Sequence, residues 1–202
     1  MSERQMSKWL RALASVLLAA SCGSGGSVGE SPSNLEDACA ILGERPGYIR
    51  AFKAAERKWG VPVHVQMATI YQESKFKSDA RTPFRYSMGV IPYGRQSSAF
   101  GYSQALDGTW DEYLEATGKR RARRDDIHDA TDFMGWYMSG TRDGLGISLR
   151  DARNQYLAYH EGRTGFKRGS FNQKAWLVRV ADDVGSRAVV YEVQLANCRA
   201  AR

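Results

Sequence analysis

The sequence has no apolar run of the about 18 residues that a membrane-spanning helix requires, which excludes such a span. It has no internal repeat and no convincing alternation of apolar and polar residues, so solenoids and sheet-dominated folds drop out. Histidine is scarce. His64, His128 and His160 have no metal-ligand spacing, and the cysteines have no neighbouring ligand, so neither a metal nor a cofactor is expected. Acidic residues are in deficit, 22 against 29 basic ones, for a net charge of +7. That excess suits an acidic partner, whether nucleic acid, an anionic membrane or an anionic polymer, and does not choose among them.

What remains describes one globular domain. The chain has 202 residues, 43% hydrophobic and 25% charged, enough to bury a proper core. At the N-terminus Arg4, Lys8 and Arg11 precede the apolar stretch from Ala12 to Ala20, which closes on Ala19-Ala20-Ser21-Cys22. A basic region, a short apolar segment and small residues describe an export signal over residues 1–21. The closing tetrapeptide resembles the bacterial lipobox, with Ala19 where Leu is usual, and the resemblance implies that Cys22 is lipidated. Residues 22–34, with Gly23 to Asn34 rich in Gly and Ser, read as a flexible leash to a domain over 35–202. Losing residues 1–21 removes three bases and one acid and leaves the mature chain at +5. Diacylation would give stable anchoring. The absence of Asp after Cys22 favours the periplasmic face of the outer membrane, by resemblance to Gram-negative lipoproteins. In that oxidising compartment the remaining pair, Cys39 and Cys198, is expected to form a disulfide, the alternative being two buried free thiols.

From Leu35 onward the apolar period is helical. Pro46 to Trp59 forms an amphipathic helix with Ile49, Phe52 and Ala55 on one stripe, stopped by Gly60. Val63 to Ser74, opened by Pro62, is apolar on several faces and should lie central in the core. Lys77 to Phe100 reads as a long irregular loop, a length usually tied to function. Thr109-Trp-Asp-Glu112 reads as a capping box for a helix that Gly118 ends. Further helices are expected over Asp126 to Ser139 and Leu149 to His160. One or two more fall within Lys174 to Cys198, with Trp176, Val180, Tyr191 and Leu195 inward.

Glu73 lies in the last turn of the central helix, on the face of Gln66 and Ile70. Burial and the negative end of the helix dipole both favour its neutral form, the state a general acid needs at neutral pH. A glutamate at a helix end is by itself a weak signal, since most are solvated.

Three further segments strengthen it. Glu73-Ser74 is followed by Gly101-Tyr-Ser-Gln104-Ala105, then Thr109-Trp110, then Ala158-Tyr159-His160-Glu161-Gly162. In that order they resemble the lysozyme-like domain of the soluble lytic transglycosylases. That family shows a Glu-Ser pair, a Gly-x-x-Gln segment, a Thr-Trp and an Ala-Tyr-Asn-x-Gly segment, and the likeness covers roughly Trp59 to Gly165. The chain looks like a lipoprotein branch of it. Two departures stand out: Tyr102-Ser103 replaces Leu-Met, and His160 replaces Asn.

The resemblance implies an all-α, lysozyme-like fold and a monomeric enzyme cleaving the N-acetylmuramic acid to N-acetylglucosamine bond of peptidoglycan. It assigns Glu73 as acid and base, Ser74 as its orienting hydroxyl, Gln104 as a substrate-binding amide and Tyr159 as a hydroxyl near the reaction centre. Tyr102 and His160 fall at substrate-binding positions. Asp79, Asp107 and Asp111 lie near the motifs, so a hydrolytic muramidase stays open, as does a silent wall-binding lipoprotein. Tyr93, Phe100, Tyr102 and Trp110 are candidates for sugar stacking, with core packing the other possibility. The run Lys119-Arg-Arg-Ala-Arg-Arg124 reads as a solvated connection, or a contact to wall carboxylates, rather than a nucleic-acid site in an exported chain. Gly101 to Ala105 falls one residue short of a nucleophile elbow and lacks the buried strand that one needs.

Overall fold

The computed structural model describes residues 29–88 and 90–201. Cys22 and the export signal lie outside the described residues. The described chain runs through helices α1 (Ala38–Glu44), α2 (Pro46–Trp59) and α3 (Val63–Ser74), then strands β1 (Phe84–Ser87) and β2 (Ile91–Arg95). Helices α4 (Asp107–Thr117), α5 (Ile127–Leu145), α6 (Ala152–Lys167) and α7 (Ala175–Ala196) follow, with 3-10 turns at Ser170–Gln173 and Arg199–Ala201. The fold is mainly helical and lysozyme-like, built around a main core with a smaller cluster of Ala105, Trp110, Tyr113 and Phe133 beside it.

Helix α3 is the centre. Every residue from Val63 to Ile70 is buried, with α2, α5, α6 and α7 packed around it. Its buried polar groups are answered locally: Gln66 donates to the carbonyls of Phe52 and Val61, and Thr69 to that of Val65. Helix α2 begins at Pro46 and stops at Gly60 in the left-handed conformation, as expected. It lies close against α5, where a Cβ on Gly135 would fall 2.4 Å from the Trp59 ring. Asp132 of α5 knits this corner. Burial alone would raise its pKa, but Tyr113, Lys119, Trp59 and Lys58 all donate to it and hold it at about 2. The disulfide joins Cys39 in α1 to Cys198 just past α7.

Several sequence expectations are corrected. The segment from Lys77 to Phe100 is not wholly irregular: β1 and β2 form an antiparallel hairpin with a register shift between Arg85 and Tyr86. Almost every hairpin residue is exposed on both faces, so there is no inside to impose an alternating pattern. Helix α4 starts at Asp107, leaving Thr109 inside the helix and the capping box unformed. The side-chain caps that do form among the described residues are Asp37 on α1, Asp126 on α5 and Asp151 on α6, each accepting from backbone N–H groups. Helix α5 continues past Ser139 to Leu145, and α6 passes His160 but breaks at Gly162, whose φ of 72° is left-handed. Trp176 is half exposed rather than inward. Residues 29–34, expected to be loose, are docked: Gly29 accepts from the Ser78 N–H, and Ser33 donates twice to Glu44.

Candidate active site

The α3 C-terminus ends in an unusual turn. Lys75 caps it at φ 53°, and Phe76 follows at φ 61°, two consecutive non-glycine residues in the left-handed region. Such strain persists only where packing over-determines it. Here Phe76 is fully buried and stacks on Tyr48 with ring centroids 6.0 Å apart. The turn fixes the direction in which Glu73, one residue before the helix end, leaves α3.

Burial raises the Glu73 carboxyl to about 7, against smaller downward pulls from the Tyr156 hydroxyl and the Lys75 charge. The Tyr156 hydroxyl favours the ionised form of Glu73, and burial together with the Glu73 charge raises the pKa of Tyr156 in turn. Sequence reading passed over Tyr156, which lies one helical turn before Tyr159 on α6. That spacing is the only sign of it in the chain.

Tyr159 is close enough to feel the Glu73 charge, but its hydroxyl donates to the Ser103 carbonyl at 2.6 Å. That bond ties α6 to the Gly101–Ala105 segment. The Ser103 hydroxyl beside it is fully buried, with no hydrogen-bond partner among the described residues. Gln104, at φ 48°, commits its amide protons to the Ala80 and Gly101 carbonyls at 2.9 and 2.8 Å. What Gln104 can offer a sugar is therefore its acceptor oxygen. Gly101 permits this turn, since a Cβ there would lie 2.1 Å from the Arg124 carbonyl oxygen.

Gln104, Tyr159 and His160 line one cavity of about 250 Å³, with Leu106, Tyr137 and Glu161 among the other walls. The structure thus brings together three of the positions the motifs picked out, with Glu73 adjacent through Tyr159. Two others fall elsewhere. Ser74 is buried and donates back to the Ile70 carbonyl within its own helix. Tyr102 is buried, its hydroxyl 3.0 Å from that of Tyr48, so it supports the Phe76 turn rather than facing a sugar. Trp110 is likewise core, packed on Tyr113 and Phe133. Tyr93 stands exposed on the hairpin, and Phe100 lies beneath the guanidinium of Arg81.

Of the acidic residues weighed as a second carboxylate, Asp79 and Asp107 are largely exposed and paired with Lys77 and Arg124. Asp111 is exposed and lines a different cavity. The carboxylate that does reach the site is Glu161, which sequence reading did not single out. Its side chain is 4% exposed. Burial would raise it, but Lys174, Ser170 and His160 bind it and hold it at about 2. Lys174 Nζ lies 2.7 and 3.0 Å from its two oxygens, and His160 Nδ1 3.1 Å away. The His160 ring meets Trp176 edge-on at 5.3 Å, which accounts for the outward turn of that tryptophan.

Burial thus raises the Glu73 carboxyl to about 7, while the donors around Glu161 hold that carboxylate at about 2. Among the described residues no group of three or more His, Cys, Asp or Glu is placed to hold a metal ion. No curated protein matches the chain. A family model does, described as the transglycosylase SLT domain, over residues 10–198.

Proposed function

The chain belongs to the transglycosylase SLT domain family, enzymes that act on peptidoglycan as lytic transglycosylases, and from that premise we propose that Glu73 carries the chemistry alone. Protonated Glu73 gives its proton to the oxygen joining N-acetylmuramic acid to N-acetylglucosamine. The C1–O bond breaks and positive charge develops at the muramoyl C1, steadied by the substrate's own acetamido group. Glu73, now a carboxylate, takes the proton of the muramoyl C6 hydroxyl as that oxygen bonds to C1. A 1,6-anhydro ring closes, the acid is regenerated and no water is consumed.

The observation that carries this reading is the raised Glu73 carboxyl, poised near 7 where one group can serve as acid and then as base. Glycosidases that add water use a second carboxylate to activate it. Asp79 and Asp107 are turned to solvent, and Glu161 is tied up by three donors. Gln104, Tyr159 and His160 line the sugar-binding cavity in this reading. The enzyme works as a monomer in the periplasm, held to the inner face of the outer membrane through a lipidated Cys22 once residues 1–21 are removed.

The test is incubation of the full-length protein with purified sacculi and mass analysis of the released muropeptides. Products one water lighter than hydrolysis gives, absent with Glu73→Gln, support the mechanism. Hydrated reducing ends overturn it and make Glu161 the next residue to change. Binding without release would mark a wall-binding lipoprotein.

A further inference from the structure

On the other side of the α3 end lies a second cavity, of about 390 Å³, formed by Tyr71, Gln72 and Lys75 against Glu36 and, from α7, Asp183 and Arg187. It adjoins the reacting carboxyl: Lys75 is two residues from Glu73 and its charge acts on it. Tyr71 is clasped between two cations, Lys75 Nζ 3.6 Å and Arg187 Cζ 3.4 Å from the ring centroid. Two cationic groups that close cannot share one face of a ring, so they occupy opposite faces.

The four charges are not equivalent. Arg187 and Glu36 neutralise each other at 2.9 Å, and Glu36 also accepts from the Tyr71 hydroxyl at 3.2 Å. Lys75 makes no ion pair among the described residues, and neither does Asp183, although both line the same cavity. Burial and the nearby Arg187 charge lower the Lys75 pKa, a cost that an arriving carboxylate would offset. The cavity therefore presents one unpaired cation and one unpaired anion that do not satisfy each other.

A ligand that fits carries both a carboxylate and an ammonium. In peptidoglycan the sugars supply hydroxyl and acetamido groups, whereas the stem peptides carry free carboxylates and free amines. Resting on the reading of Glu73 above, we propose that this cavity is a stem-peptide subsite, with a stem carboxylate on Lys75 and a stem ammonium on Asp183. It makes the enzyme selective for peptide-bearing glycan.

The experiment compares the full-length protein on two substrates, peptide-bearing strands and strands stripped of stems by an amidase. Lys75→Gln should lower kcat/KM about tenfold on peptide-bearing strands, the size of one partly buried ion pair. The reading is the ratio of kcat/KM on peptide-bearing strands to that on stripped strands, which should fall about tenfold. Asp183→Asn should act in the same direction, and Lys75→Arg should restore most of the loss. Because Lys75 also acts on Glu73, any change in the acid itself appears equally on both substrates and cancels in the ratio. An unchanged ratio overturns the subsite. So does a loss confined to stripped strands, which would place the sugar's own lactyl carboxylate on Lys75. If the unaltered protein turns over neither substrate, the Glu73 reading fails instead.

Discussion

The hydroxyl that addresses Glu73 is that of Tyr156, while Tyr159, one turn further along the same helix, spends its own on the Ser103 carbonyl. Two tyrosines thus divide the work at one carboxyl. Tyr156 tempers the proton affinity that burial raises, and Tyr159 ties α6 to the Gly101–Ala105 segment.

Tyr156→Phe separates those roles. The Tyr156 hydroxyl favours the ionised form of Glu73, so without it the Glu73 pKa should rise further. A pH–rate profile should show the alkaline fall in activity, near 7 in the unaltered enzyme, displaced to higher pH. Peak activity should drop by less than about tenfold. A limb that stays in place would remove Tyr156 from the acid's environment.

Glu73 should also be visible in stability. Its carboxyl holds a proton more tightly folded, at about 7, than unfolded, at the usual 4.5. Between those values the native state binds more protons than the unfolded one, so stability falls as pH rises. Glu73→Gln removes that cost. In urea denaturation the variant should match the unaltered protein at pH 4 and exceed it at pH 8, by up to about 3 kcal/mol, while losing nearly all turnover. Equal stability at both pH values would sink the assignment of a buried acid.

Glu161→Ala strands the Lys174 ammonium and frees His160 and Ser170 from their shared anchor. The Lys174 ammonium is 42% exposed and regains water, so the loss should be about 2 kcal/mol. Thermal melting should show the loss at pH 7. It should shrink as the medium is acidified from 4.5 toward about 2, because over that range the unfolded chain takes up the proton while the native carboxylate does not.

Reducing the bridge between Cys39 and Cys198 releases a loop of 159 residues in sequence separation. The chain-entropy argument gives an upper bound of about 5 kcal/mol. Melting with and without reductant should differ by on the order of 10 °C. Cys39→Ser/Cys198→Ser should reproduce the reduced curve and be insensitive to reductant.

How much of this was legible in the chain depends on where each signal lies. Pro46, Gly60 and Gly118 mark helix ends because their backbone preferences act locally, and all three stand where expected. The central position of α3 followed from apolar residues on several of its faces. Tyr156 was not legible: two tyrosines a turn apart look alike until a second helix selects one of them. Nor was Glu161, since its stability as an ion depends on Lys174 returning thirteen residues later to cover it. The hairpin hid for the opposite reason, having no buried face to write a pattern into the sequence.

The docking of Gly29 beside Ser78 has a consequence for range of action. With Cys22 as the proposed anchor, seven residue steps separate it from Gly29, a contour length of at most about 25 Å. Residues 29–34 are held against the body and add nothing to that length. Such an enzyme grazes within a shell hardly thicker than its own diameter. Glycan beyond that shell is out of reach, and within it the area one enzyme serves is set by diffusion of the anchor in two dimensions.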